Sequence, residues 1–261
     1  MAMVQEKRLT ITTSWDDGHP LDLRLAELLD RYALPATFYV PLSNSRPTLS
    51  PAGIRELSQR FEIGAHTVNH LRLKGLPESQ ARREIADSKK RLEDILGKAC
   101  SIFCFPGGNY GRIHFRMLRD AEFRAVRTVE LLSFERPRTT GGIAVIPTTI
   151  QAYPNRTTAY LRNAAKRFSL LAVWNLLRGG NTQNWPEFAR VLLKRAADCG
   201  GVFHLWGHSW EIEEAGQWRA LEQTLAAISQ YRQCAGFVTN LELCNDGGKA
   251  EDNPRPALVS G

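Results

Sequence analysis

The chain has 261 residues, of which 43% are hydrophobic and 23% charged, as in a globular protein long enough for one large barrel or two small domains. Its net charge of +7 comes from Arg and Lys spread along the chain, which favours a solvated basic surface over a dedicated anionic partner. The longest apolar run, around 169–177, is too short to span a bilayer, and no helix-turn-helix, zinc finger or aromatic-basic platform indicates nucleic acid as a partner.

The first eight residues lack the apolar core of a signal peptide. The five cysteines are an odd number without paired spacing, which fits a reducing compartment better than a disulfide framework. Both features predict a cytoplasmic protein.

Strands and helices alternate along the first half of the chain. The first predicted strand, Leu9–Thr13, alternates apolar and polar residues and leads through Ser14–His19 into a helix at 20–31. The next predicted elements are a strand at 36–40, a helix capped by Ser50, a strand at 62–65, a helix at 77–96 and a strand at 100–105. The charged residues of the helix at 77–96, Glu84 among them, are interpreted as its solvated face.

The second half continues the alternation. Its predicted elements are helices at 112–121, 157–177, 186–199 and 217–231 and strands at 123–127, 143–146, 202–206 and 237–238. The alternation is typical of α/β folds with a parallel sheet, and candidate functional residues at strand ends favour closure into a barrel. Because no repeat or proline-rich linker divides the chain, we predict one barrel domain over residues 1–244 and a flexible tail at 245–261.

Two adjacent carboxylates, Asp16 and Asp17, follow the first strand, and Gly18 opens the turn behind them. Helix N-capping would explain one of these residues but not both. Ionising both in a cleft is costly unless a cation lies between them. We therefore predict that one Asp binds a metal ion while the other stays free as a base.

Two histidines four residues apart, His66 and His70, follow the predicted strand at 62–65. If this loop turns helically, both rings face the same way and share one metal ion with Asp17. Two histidines at this spacing in a loop are more often surface residues. Two histidines and one carboxylate leave coordination positions open for water and substrate, which is the pattern of a catalytic site.

These stretches resemble motifs of the polysaccharide deacetylase family (NodB homology, carbohydrate esterase family 4). Asp16-Asp17-Gly18 and the segment His66–His70 resemble its first two motifs in order and in separation. Residues 103–108 resemble the third motif, residues 208–211 the fifth, and residues 237–239 the usual end of the domain. The resemblance runs from about residue 9 to about residue 243.

The resemblance implies a single distorted (β/α) barrel, a divalent metal ion and hydrolysis of an N-acetyl or related acyl group on a sugar. Carried over by position, the metal ligands are Asp17, His66 and His70. Asp16 is then the general base that deprotonates the attacking water, and His208 is the general acid that protonates the leaving amine. The ligand set suits zinc best, and also cobalt, nickel or manganese.

The chain departs from the family pattern at two motifs. The third motif often has an Arg that holds the catalytic Asp, and Cys104 stands there instead. Arg127, at a strand end, is a candidate substitute, although a surface or core-edge ion pair is the simpler prediction. The fourth-motif Asp is not evident, and Glu211 is a candidate for its role or for binding substrate hydroxyls. Further candidates are the Gly107 backbone N–H as oxyanion donor and the Tyr110 and Trp210 side chains as substrate contacts, with core packing as the alternative.

Three functions are consistent with this pattern. The first is a metal-dependent deacetylase acting on an acylated amino sugar, such as an intracellular precursor that is phosphate- or lipid-linked. The second is another C–N hydrolase, such as a sugar deformylase or an allantoinase-like amidohydrolase. The third is a catalytically inactive carbohydrate-binding barrel. The basic amphipathic segment Tyr160–Leu177 allows peripheral membrane contact, although packing against the barrel explains it more simply.

Overall fold

A curled sheet of ten strands runs through residues 9–245, the part of the chain that the computed structural model describes. Its strands are β1 (Leu9–Asp16), β2 (Thr37–Val40), β3 (Glu62–Ala65), β4 (Ile102–Cys104), β5 (Ala125–Arg127), β6 (Arg138–Thr140), β7 (Ile143–Ile146), β8 (Ile150–Gln151), β9 (Val202–Gly207) and β10 (Ala235–Phe237). The helices are α1 (Asp22–Arg31), α2 (Pro51–Leu57), α3 (Glu78–Leu96), α4 (Arg112–Asp120), α5 (Thr157–Lys166), α6 (Leu170–Gly179), α7 (Trp185–Cys199), α8 (Ser209–Glu214), α9 (Trp218–Ser229) and α10 (Asn240–Asn245). The first eight residues and, apart from Asn245, the predicted tail lie outside the described residues.

The strand order is β6-β7-β5-β4-β3-β2-β1-β9-β8, with β10 beside β1, and β6–β7 is the antiparallel pair. Strand β7, near one end of this order, and strand β8, at the other end, are consecutive in the chain. A stretch of three residues separates them. On one side of this stretch the Thr128 N–H donates to Ile146 O (3.0 Å), and on the other the Thr149 N–H donates to His204 O (3.0 Å). The sheet thus curls into a distorted barrel that stays open between β7 and β8, and this α/β architecture confirms the predicted fold class.

The interior of the barrel is polar on one side of β1. Alternate residues of a strand share a face, and Thr12, Ser14 and Asp16 are such a set. All three are buried. The Thr12 hydroxyl bonds to Asn240 Oδ1 (2.9 Å), and Ser14 Oγ lies 2.9 Å from His204 Nε2. Asp16 is the last member of this face, so its carboxylate lies at the carboxyl edge of the barrel.

The predicted helix at 157–177 is two helices in the structure. Phe168 adopts a left-handed conformation (φ 47°), which ends the helical path after α5. The Ser169 hydroxyl then caps α6 by accepting the Ala172 N–H (3.2 Å). Helices α8 and α10 and strands β6 and β8 were not predicted. Within residues 9–245, no helix is long and apolar enough to cross a bilayer.

Candidate active site

The three residues predicted to bind a metal lie together at the carboxyl edge of the barrel. Asp17 Oδ1 is 3.0 Å from His70 Nε2 and 3.6 Å from His66 Nε2, and the ligand atoms of all three lie within 4.8 Å of one another. Asp17 Oδ1 is buried and has no hydrogen-bond partner among the described residues. A buried carboxylate oxygen that faces two imidazole nitrogens fits a divalent cation. Asp17 and His66 are buried, whereas His70 is partly exposed and leaves the cluster open to solvent.

The loops that carry these ligands have strained backbone conformations. Asp17, Thr67 and His70 have φ angles of 79°, 65° and 53°, in the left-handed region that residues other than Gly rarely adopt. No helical turn joins His66 to His70, so the two rings do not come together by the helical geometry considered for this loop. The left-handed residues bend the chain instead, and the two rings lie with their centroids 4.9 Å apart.

Glu84 of α3 holds the histidine loop. Its Oε2 accepts the backbone N–H groups of Val68 (3.0 Å) and Asn69 (2.9 Å), and its Oε1 accepts the Asn69 side-chain amide (2.6 Å). Glu84 is buried, so its assignment to the solvated face of the helix is wrong. The sequence did contain a signal for this. Glu84 lies beside Ile85 and three residues after Ala81, on the apolar face of α3 that packs against the barrel.

Hydrogen bonds also orient the ligands themselves. His66 Nδ1 lies 2.8 Å from Cys104 O, and since a carbonyl only accepts, Nδ1 is the donor and Nε2 is left facing Asp17. The Trp210 indole N–H donates to Asp17 Oδ2 (2.8 Å). Burial alone would raise the pKa of Asp17, but the facing rings of His66 and His70 hold this pKa well below its usual range. The carboxylate is therefore ionised, as a metal ligand requires.

Asp16 is paired with Arg127. The guanidinium Nη2 donates to Asp16 Oδ1, and the Arg127 side chain is fully buried. Its guanidinium carbon lies 5.2 Å from the Tyr39 ring centroid and 4.8 Å from that of Trp206. A surface or core-edge position for Arg127 is therefore wrong. It lies beneath Asp16, in the place suggested for a substitute of the family Arg, and not where it would touch a substrate.

Cys104 lies beside the same carboxylate. Its sulfur is 4.0 Å from Asp16 Oδ2, and Asp16, His66 and Cys104 form a second group with metal-ligand spacing. Burial raises the pKa of the Cys104 thiol, so the sulfur stays protonated at neutral pH. With Arg127 already on Asp16, this second group lacks the negative charge that a cation needs.

His208 faces the cluster from the end of β9. Its Nε2 lies 4.0 Å from Asp17 Oδ2, and its Nδ1 lies 2.6 Å from Glu211 Oε2. Burial would lower the pKa of His208, but the Glu211 carboxylate outweighs burial and raises it. Glu211 also accepts a hydrogen bond from the Gln151 amide (2.8 Å). Glu211 therefore orients His208 and favours its protonated form, while Gln151 is a site neighbour that sequence reasoning missed.

Trp210 contacts the site through its nitrogen, and Arg46 covers its ring. The guanidinium carbon of Arg46 lies 3.6 Å from the Trp210 ring centroid. Sequence reasoning gave Trp210 as a substrate contact or a core residue and did not single out Arg46. In the structure the indole bonds to Asp17, so Trp210 supports a predicted ligand.

Gly107 and Tyr110 lie on the turn that follows β4. Gly107 is exposed with φ 61°, and Tyr110 stacks on Phe105 with the ring centroids 4.5 Å apart. Both line a cavity of about 280 Å³, together with residues from the loop after β5 and from α5 and α6. The lining of this cavity does not include Asp17, His66 or His70. The turn thus borders this cavity, and it follows Cys104, whose carbonyl accepts from His66.

The fold of this chain has solved counterparts. The putative polysaccharide deacetylase of Mycobacterium smegmatis superposes with a TM-score of 0.68 and 16% identity, over 94% of this chain and 92% of that one. The Puue allantoinase superposes with a TM-score of 0.65 and 14% identity, over 92% and 91%. At these identities the similarity is one of fold.

Sequence comparisons point to one family over the first half of the chain. Residues 4–126 match the family model described as polysaccharide deacetylase, which confirms the resemblance for this part of the chain. The putative polysaccharide deacetylase YxkH of Bacillus subtilis is 31% identical over 109 residues, 40% of this chain and 38% of that protein. The peptidoglycan-N-acetylglucosamine deacetylase of Bacillus cereus is 30% identical over 124 residues, 46% of this chain and 56% of that protein. The matched segments thus span about half or less of these curated relatives.

Proposed function

We propose that this chain is a metal-dependent hydrolase that removes an N-acetyl or related acyl group from an amino sugar or a sugar-containing precursor. The observation that carries the proposal is the convergence of Asp17, His66 and His70 beside a second, arginine-paired carboxylate and a glutamate-paired histidine. Metal ligands, base and acid are thus available at one edge of the barrel. The family match over residues 4–126 supports the same reaction class.

In this proposal Asp17, His66 and His70 hold the divalent cation. The cation supplies Lewis-acid chemistry at the acyl carbonyl. Asp16 takes a proton from the attacking water, and Arg127, which donates to Asp16 Oδ1, fixes the direction of this carboxylate. His208 gives a proton from Nε2 to the leaving amine nitrogen, and Glu211 on Nδ1 holds the ring in the orientation that this transfer needs. The Gly107 N–H remains our candidate for a donor to the acyl oxygen.

We propose zinc as the metal, because two imidazoles and one carboxylate with open positions are its usual catalytic set. Cobalt, nickel and manganese bind comparable sets, and availability decides among them. The proposed substrate is an acylated amino sugar, in a form linked to phosphate or lipid, and the proposed location is the cytoplasm.

The test is the metal content of the purified full chain, measured together with acetate release from N-acetylated amino sugars. We expect near-stoichiometric divalent metal and acetate release, both lost in Asp17→Asn. Asp94→Asn is the matched control, because Asp94 is an exposed carboxylate of α3 outside the site. Metal without acetate release would move the substrate to a formyl or ureido amide, as in the deformylase and allantoinase-like alternatives. A protein that takes up no metal after incubation with zinc or cobalt would contradict the proposal and favour an inactive binding barrel.

A further inference from the structure

Helix α6 has apolar side chains on two opposite faces. The inner face, with Ala172 and Leu176, is buried in the core. The outer face follows helical spacing and is open to solvent. Together with Phe168, two residues before the helix, it forms what we call the apolar stripe: Phe168 (80% exposed), Leu170 (85%), Leu171 (50%), Trp174 (49%) and Leu177 (74%). Single exposed apolar residues are ordinary, but five adjacent large ones indicate a surface that another body covers.

The chain segment that carries the apolar stripe is strongly basic. Residues 136–186 contain seven Arg and Lys and no Asp or Glu, so this segment carries a charge of +7, equal to the net charge of the whole chain. Arg162 and Lys166 are exposed on α5, and Arg178 is exposed on α6. The guanidinium carbon of Arg178 lies 4.0 Å from the Trp174 ring centroid. Glu130 and Glu135 line the cavity beside Leu171, and Glu130 pairs there with Arg138 and Arg167. An apolar stripe flanked by exposed cations is the arrangement of helices that lie in a membrane interface.

The charge and polarity of this surface indicate which kind of partner could cover the stripe. A second copy of the chain in a face-to-face dimer would bring the same cations together, which is unfavourable. Nucleic acid would meet the cations but leave the apolar side chains without partners. A bilayer with anionic headgroups satisfies both parts of the surface. Its acyl boundary can bury the apolar stripe, and its phosphates can pair with the cations. We propose that the corner formed by α5 and α6 docks on an anionic lipid surface.

The docking corner borders the cavity beside the candidate active site. Lys166 and Leu171 line one side of that cavity, and Gly107 and Tyr110 line another. The turn that carries Gly107 follows β4 at the carboxyl edge of the barrel. A docked protein would therefore hold this edge close to the membrane. The inference rests on the surface alone and does not depend on the proposed hydrolase activity.

The test is flotation of the full chain with lipid vesicles at low salt. We expect binding to vesicles with about one third phosphatidylglycerol, none to pure phosphatidylcholine, and loss of binding as salt rises. The variants are Leu170→Ser with Leu177→Ser for the stripe, and Arg162→Gln with Lys166→Gln for the cations. Each should weaken partitioning by about tenfold or more. The matched controls are Ile113→Ser, an exposed apolar residue of α4, and Lys90→Gln with Arg91→Gln, exposed cations of α3; both should bind as the parent chain does.

Three results would overturn the inference. The first is no flotation of the parent chain with anionic vesicles at low salt. The second is unchanged binding of the stripe variant, with circular dichroism showing that it is folded. The third is a dimer by light scattering that the stripe variant dissociates, because a second copy would then be the body that covers the stripe.

Discussion

At the scale of single residues, Arg127 and Asp16 form an ion pair inside the barrel, and removing one leaves the other charge buried without a partner. Breaking such a pair costs about 3–5 kcal/mol. We predict that Arg127→Met lowers the free energy of unfolding by about this amount in urea denaturation. Adding Asp16→Asn removes the orphaned charge, so the double variant should be less destabilised than the sum of the single variants. Additive effects would show that the pair is not coupled.

His204 provides a residue-scale test of pH dependence. Its ring is buried between Ser14 Oγ and Pro147 O, both at 2.9 Å, and burial together with Arg127, against the smaller effect of Asp16, lowers its pKa to about 3. Below pH 6.5 His204 binds a proton in the unfolded chain, whereas its buried ring in the native protein stays neutral. Stability is therefore complete above pH 6.5 and declines as the pH falls towards 3.

The expected loss from His204 alone is about 3 kcal/mol by pH 4. We predict that His204→Asn, which can keep a donor towards Pro147 O, is less stable than the parent at pH 7 but loses less between pH 7 and pH 4. Urea titrations across this range measure the difference. Parallel stability curves for the two chains would mean that His204 titrates alike in the folded and unfolded states.

At the scale of secondary-structure elements, Glu84 connects α3 to the loop that carries the two histidines. In Glu84→Gln the amide NH2 cannot accept, so at least one donor of Val68 or Asn69 loses its partner. We predict zinc affinity about 10–100-fold weaker, measured by competition with a chromophoric chelator, with the protein still folded. Glu56→Gln, an exposed residue of α2, is the control and should bind zinc as the parent does. Equal affinities would mean that the loop keeps its shape without Glu84.

The elements themselves followed from hydrophobic periodicity, and their functional contacts did not. The apolar spacing of α3 predicted a helix correctly. The same spacing could not show that Glu84, at an inward position of α3, accepts hydrogen bonds from the loop that carries His66 and His70. The break at Phe168 was missed because a left-handed residue within an apolar run leaves no sign in the periodicity.

At the scale of the whole molecule, the proposed metal would join the loops after β1 and β3. A ligand that binds only the folded state stabilises it, by about 2.7 kcal/mol at a free concentration 100-fold above Kd. We predict that zinc raises the free energy of unfolding by about this much and that a chelator reverses the effect. Asp17→Asn should show no such dependence on zinc. Equal stabilisation of the parent and the variant would place zinc elsewhere on the chain.

The sequence by itself determined the alternation of elements, the α/β class and the two short motifs, because periodicity and motif spacing are properties of neighbouring residues. Asp16, Asp17, His66 and His70 could be singled out for that reason. Only the tertiary structure decided that Arg127, 111 residues further along, neutralises Asp16 and that Trp210, 193 residues further along, donates to Asp17. Such contacts depend on which strands become neighbours in the sheet and on the direction of each side chain in the folded protein. The local sequence pattern encodes neither.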